Sequence, residues 1–126
     1  MRSQKIDSYQ KLEFWKTAYE VTIAIVKLTG KLPKNQATTV ITYQIIRSSA
    51  SVGANIAEGF GRYKGKEYGR FLQISLGSAN ETEHWLLILK DIHPKFAGEI
   101  QKIMDRNKET IKMLASSLKT LRRRKK

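Results

Sequence analysis

The sequence predicts an all-α protein, an up-and-down antiparallel four-helix bundle, on three observations. Four segments carry apolar side chains at three- and four-residue steps. No segment sustains the apolar–polar alternation of a strand. The connections are short and hold both prolines, Pro33 and Pro94. At 126 residues the chain is long enough for one domain and short for two, so residues 1–126 read as a single unit.

The first helix is expected over about 9–29, because Phe14, Ala18, Val21, Ile25 and Leu28 line one stripe. Gly30 and Pro33 stop it. The second is expected over about 38–58, with Ile41, Ile45, Ser48, Val52 and Ile56 facing inward, and ends at "GFGRYKGK". The third is expected over about 66–90. Its stripe is Tyr68, Phe71, Leu72, Ser75, Leu76, Ala79, Leu86 and Leu87, and His93-Pro94 breaks it. The fourth is expected over about 98–121 on Ile100, Ile103, Met104, Asn107, Ile111, Leu114 and Leu118. A basic tail, 122–126, follows. Helices of this length joined by short loops pack as antiparallel neighbours.

The residues offer little for catalysis. Cysteine is absent, which removes disulfides, a thiol nucleophile and cysteine metal sites. "SVGANIAEGFGRYKGK" fails both phosphate-loop patterns. Glu67 follows Gly65-Lys66 where a P-loop needs Ser or Thr, and Lys64 takes the last glycine position of a dinucleotide fingerprint. Glu81-x-x-His84 matches half of a di-metal bundle motif and has no second copy. No catalytic residue, metal or cofactor is therefore expected, and the chain is not expected to be an enzyme. Glu83 falls inside the third stripe and requires a partner, since a buried unpaired carboxylate costs several kcal/mol. Arg47, Asn55, Glu58, Glu81 and Glu83 are expected to form structural polar contacts, with Arg47 a partner for one of the carboxylates.

Two helices are apolar on more than one side. The first carries Leu12, Trp15, Tyr19, Ile23 and Val26 beside its stripe, and the third carries Ile74, Trp85 and Ile88 opposite its own. A single bundle has no second layer to cover them, so another copy of the chain is the expected cover. Trp15, Tyr19, Ile74, Trp85 and Ile88 are the expected oligomer interface.

Charge points to a polyanion. Lys and Arg number 24 against 11 Asp and Glu, a net +13. One cluster is Arg62, Lys64, Lys66 and Arg70, interleaved with Tyr63 and Tyr68. The other is Arg122, Arg123, Arg124, Lys125 and Lys126, continuing the outer face of the fourth helix through Lys112 and Lys119. Such cations neutralise phosphates, and neighbouring aromatics can stack on unpaired bases. No apolar run reaches the length of a membrane span, and "MRSQKIDSYQ" lacks a signal-peptide core, so a cytoplasmic protein is expected.

Three stretches resemble a known family: "YQKLEFWKTAYEVTIAIVKLTGKLP", "QIIRSSASVGANIAEGFGR" and "EYGRFLQISLGSANETEHWLLILK". They are similar to the four-helix bundle proteins encoded in intervening sequences of 23S ribosomal RNA genes, with the accessory variability proteins of retroelements as distant relatives. The resemblance implies an up-and-down bundle, a homopentameric ring, a basic surface suited to nucleic acid and no established enzymatic activity. It maps Arg47, Asn55, Glu58, Gly59, Arg62, Glu81 and Glu83 onto signature positions. Gly53 stands where relatives often have proline, which bears on a bend in the second helix. The expected function is a non-enzymatic, oligomeric nucleic-acid-binding bundle, with RNA favoured. The alternative is a structural adaptor that docks a protein such as a reverse transcriptase, as in the distant relatives.

Overall fold

The computed structural model describes residues 6–62 and 66–124. Four α-helices make up nearly all of them: α1 (Glu13–Thr29), α2 (Gln36–Phe60), α3 (Lys66–Ile92) and α4 (Ala97–Arg124). Single 3₁₀ turns cover Tyr9–Lys11 and Pro94–Phe96. Each helix packs on the two beside it in the cyclic order α1, α2, α3, α4, and the backbones of the diagonal pairs α1/α3 and α2/α4 stay apart among the described residues. This is an up-and-down four-helix bundle. The N-terminus of α3 and the C-terminus of α4 share one end of it.

The boundaries differ from expectation for local reasons. α1 begins at Glu13, not Tyr9, because Leu12 is extended (φ −74°, ψ 128°). That break lets Tyr9 fold back edge-on to Trp15, with ring centroids 5.3 Å apart. α2 begins two residues early because the Asn35 side chain caps it, accepting from Thr38 N at 2.9 Å. It runs unbroken through Gly53, where the edge of the Trp15 ring approaches. α4 continues through Arg124, so the first three residues of the expected tail are helical. Nothing in "LRRR" breaks a helix, and cations suit the negative end of its dipole.

The core has two apolar layers. Val21, Ile25, Leu28, Ile45, Leu86, Leu89 and Ile100 fill the one toward the α1–α2 connection. Phe14, Ala18, Val52, Ile56, Leu72, Ala79, Leu114 and Leu118 fill the other. Around the join lie buried and half-buried hydroxyls and one buried amide, which bridge all four seams. Thr22 Oγ1 donates to Ser49 O (3.0 Å, α1–α2), and Ser48 pairs with Thr82 (2.9 Å, α2–α3). Asn107 Nδ2 donates to Ala79 O (3.0 Å, α3–α4), and Thr17 pairs with Thr110 (2.6 Å, α4–α1). Among the described residues no buried side-chain polar atom lacks a partner. Satisfied bonds of this kind each contribute about 1 kcal/mol, but a hydroxyl left alone costs about 1–3 kcal/mol, so the belt penalises any slip in helix register.

Two inward assignments on α3 are corrected. The buried line is Leu72, Ser75, Ala79, Thr82, Leu86 and Leu89. Glu83 lies beside that line rather than within it, and Leu87 is exposed. At the α2–α3 corner Gly59 is buried, and a Cβ there would come within 2.6 Å of Phe71 Cβ. Only glycine permits that approach of the two helices.

Candidate nucleic-acid interface

α4 changes character along its length. Its first half balances its charges: Arg106 Nε donates to Glu20 at 2.6 Å and Nη1 to Glu109 at 2.8 Å. The bond to Glu20 pushes the guanidinium pKa further up. Lys108 approaches Glu83 at 3.7 Å, and Glu99 pairs with Lys31 at 2.8 Å. From Thr110 onward the sequence holds no Asp or Glu. Lys112, Lys119, Arg122, Arg123 and Arg124 are exposed and have no carboxylate within 4.0 Å among the described residues.

The antiparallel packing brings the first turns of α3 to the same end. Lys66 and Arg70 are exposed and have no carboxylate within 4.0 Å among the described residues. Together with Gly69, Gln73, Leu118, Leu121 and Arg122 they line a groove of about 270 Å³. A shallower depression beside it is lined by Ala115, Lys119, Arg122 and Arg123. Tyr68 lies on the opposite side of Leu121, and burial raises its phenol pKa. The cations of α4 sit favourably at a helix C-terminus, whereas Lys66 and Arg70 oppose the positive end of α3. Glu58 and Glu67 are carboxylates at this end and both lie toward Arg62, so the cations outnumber them and the summed field is positive.

The first sequence cluster is divided. Arg62 is exposed but engaged by its own chain, paired with Glu58 at 2.9 Å, approaching Glu67 at 4.0 Å and standing over the Phe71 ring at 5.5 Å. Lys64, Lys125 and Lys126 lie outside the described residues. The groove residues Gly69, Gln73 and Leu121 were not anticipated. Their signal is the antiparallel pairing of the α3 start with the α4 end, which periodicity alone does not reveal.

The five expected polar residues fall into four separate groups. Arg47 pairs with Glu81 and also donates to Gln44 Oε1, and Glu81 accepts from Trp85 Nε1 at 2.9 Å. Glu58 holds Arg62, Glu83 faces Lys108, and Asn55 Nδ2 donates to Ser51 O at 2.8 Å. Three carboxylates are thus each set against a different cation. Among the described residues no group of three His, Cys, Asp or Glu could hold a metal ion.

α2 contrasts with α4. Its 25 residues include only two charged ones, Arg47 and Glu58. Val40 (56% exposed) and Tyr43 (67%) stand outward, as do Ala50 and Ala54. Beside them Tyr9, Trp15 and Tyr19 form an aromatic wall, with Trp15 and Tyr19 stacked at 5.0 Å. Between that wall and Ala50, Gly53, Ala54 and Ala57 runs a groove of about 260 Å³. Of the expected interface residues, Tyr19 and Ile74 are exposed, while Trp15, Trp85 and Ile88 are half-buried. Trp85 packs on the α1–α2-connection layer of the core. The outward apolar residues of α2 were missed, although the scarcity of charge in that helix could have flagged them. No helix is long and apolar enough to cross a membrane among the described residues.

Comparison with known proteins agrees with this architecture. The model of the 23S rRNA-intervening sequence protein family matches residues 10–116. A solved structure from Bacteroides thetaiotaomicron, described as a protein of unknown function from the S23 ribosomal protein family, is 32% identical with a TM-score of 0.75. The match covers 84% of this chain and 98% of that one. No curated protein matches. The bundle, its glycine-bound α2–α3 corner and the family match over most of the chain lead to one assignment: this chain belongs to the 23S rRNA-intervening sequence protein family.

Proposed function

We propose that this protein is a non-enzymatic nucleic-acid-binding bundle that self-associates through its sparsely charged side and holds RNA at the end shared by α3 and α4. The observation that carries the reading is the excess of unpaired cations at that end. Lys66, Arg70, Lys119, Arg122, Arg123 and Arg124 are exposed and have no carboxylate within 4.0 Å among the described residues. Phosphates are the counter-charge such an array attracts, through release of condensed counterions. The separated Glu58, Glu81 and Glu83, each beside its own cation, support a structural rather than a catalytic role for the carboxylates.

Self-association follows from the distribution of charge. Copies carrying +13 each repel, and they approach at least cost where charge is sparse. The outer side of α2 with the Trp15–Tyr19 wall is that place, and it is also where large apolar side chains lie open. Because α2 and α4 are diagonal, association there leaves the positive ends on the periphery. A ring of five, as the family resemblance implies, would present five such ends and gain by avidity.

Fluorescence anisotropy with a labelled single-stranded RNA, titrated at several salt concentrations, tests the reading. If the six cations each neutralise one phosphate, log affinity falls against log salt with a slope of about −4. Undetectable binding at low salt, for both RNA and DNA, overturns it.

A further inference from the structure

The groove between the start of α3 and the end of α4 is more than a charged patch. Leu118 and Leu121 supply apolar side chains to it, and Gly69 supplies none. Lys66, Arg70 and Arg122 supply cations, and Gln73 supplies a side-chain amide. A Cβ at Gly69 would lie 3.8 Å from Leu121 Cδ1, so the missing side chain is what keeps this stretch of the groove open. Its volume, about 270 Å³, is near the lower limit of small-molecule sites, roughly 300 Å³, and accommodates one unit of a polymer rather than several.

A phosphodiester alone needs the cations and has no use for the leucines. A duplex also leaves them bare, because its bases are stacked on each other. An unpaired nucleotide uses every feature. Its base face covers apolar surface or a guanidinium plane, its edge hydrogen-bonds an amide, and its phosphate meets lysine or arginine. An acyl chain would cover the leucines but make no use of the exposed Gln73 amide.

We propose that this groove is a subsite for one unpaired nucleotide, so that the protein prefers single-stranded or looped nucleic acid to duplex. The proposal rests on the polyanion reading above and adds a chemical class to it. The base lies over Leu121 beside Gly69, with the buried Leu118 beneath. Arg70 and Arg122 flank it, Lys66 takes the adjoining phosphate, and Gln73 faces the base edge.

Gly69→Leu fills the groove without changing charge, and leucine favours a helix more than glycine does. Affinities for a single-stranded RNA and for a blunt RNA duplex of the same length are measured for the wild type and this variant. Single-strand affinity should fall about ten-fold more than duplex affinity, the scale of one stacked base. Gly69→Ala, whose Cβ makes only an ordinary contact, should keep the wild-type ratio. On the wild-type protein, AMP should shift the amide resonances of Gly69 and Leu121, which inorganic phosphate should leave in place.

An unchanged ratio in Gly69→Leu together with no AMP-specific shift overturns the subsite and leaves the charged interface standing. No binding of either RNA by the wild type overturns the polyanion reading, and the subsite with it. Binding of anionic vesicles that Gly69→Leu abolishes while RNA binding stays intact assigns the groove to lipid and refutes the proposal.

Discussion

α2 and α4 are diagonal in the bundle, similar in length and opposite in surface chemistry. α2 has two charged residues in 25, and α4 has eleven in 28. Both bury an unbroken inward line, so the difference lies wholly in what they turn outward. The fold fixes only the inward line. The outer faces are free to diverge, and their divergence is where function is written.

Three changes would break or sharpen this contrast, and a control bounds it. The largest effect should come from giving α2 the character of α4. Ala50→Lys with Ala54→Lys adds two cations to exposed positions of the sparsely charged side. Like charges facing each other across an interface cost several kcal/mol. Self-association should weaken by about 1,000-fold, and light scattering should find the 14.5 kDa chain alone at micromolar concentration. The reverse change follows in size. Arg122→Gln, Arg123→Gln and Arg124→Gln together should lower RNA affinity by about 100-fold near 0.1 M salt and flatten the salt slope by about 2, with oligomer mass unchanged.

The belt that sets both faces in register gives the next effect. Thr17→Val strands the buried Thr110 hydroxyl and should destabilise the bundle by about 1–3 kcal/mol. Thr17→Val with Thr110→Val should recover most of that loss, as read from denaturant midpoints. The control is Lys27→Gln with Lys34→Gln at the far end of the bundle, about 40 Å along α4 from its C-terminus. It should change RNA affinity less than about two-fold, because the distance exceeds several Debye lengths.

What the sequence made legible follows the same division. The helices and most of the inward line are written as hydropathy. Phe14 to Leu28, Ile45 to Ile56 and Ile100 to Leu118 fall where periodicity puts them. Periodicity slipped where polar residues hold core positions. Thr82 belongs to the α3 line, but a threonine reads as surface, and the eye passes to Glu83 and Leu87, which share one flank of the true stripe. Thr17 and Thr110 are hidden in the same way. Their burial depends on a partner hydroxyl 93 residues away, which no local window contains.

The candidate site was half legible. The run of arginines after Leu121 is plain in the sequence. The pairing of Arg62 with Glu58 is a four-residue helical contact within reach of inspection. Gly69 and Gln73 acquire meaning only when α3 is laid antiparallel to α4, and the open side of α2 only when its inward line is known.

The contrast between α2 and α4 is tested most directly by mapping where nucleic acid touches the chain. Ultraviolet crosslinking to a photoreactive single-stranded RNA, followed by peptide mass mapping, reads this in one experiment. The account predicts adducts in peptides spanning 66–73 and 110–124, and none in 36–60. Adducts concentrated in 36–60 would contradict it.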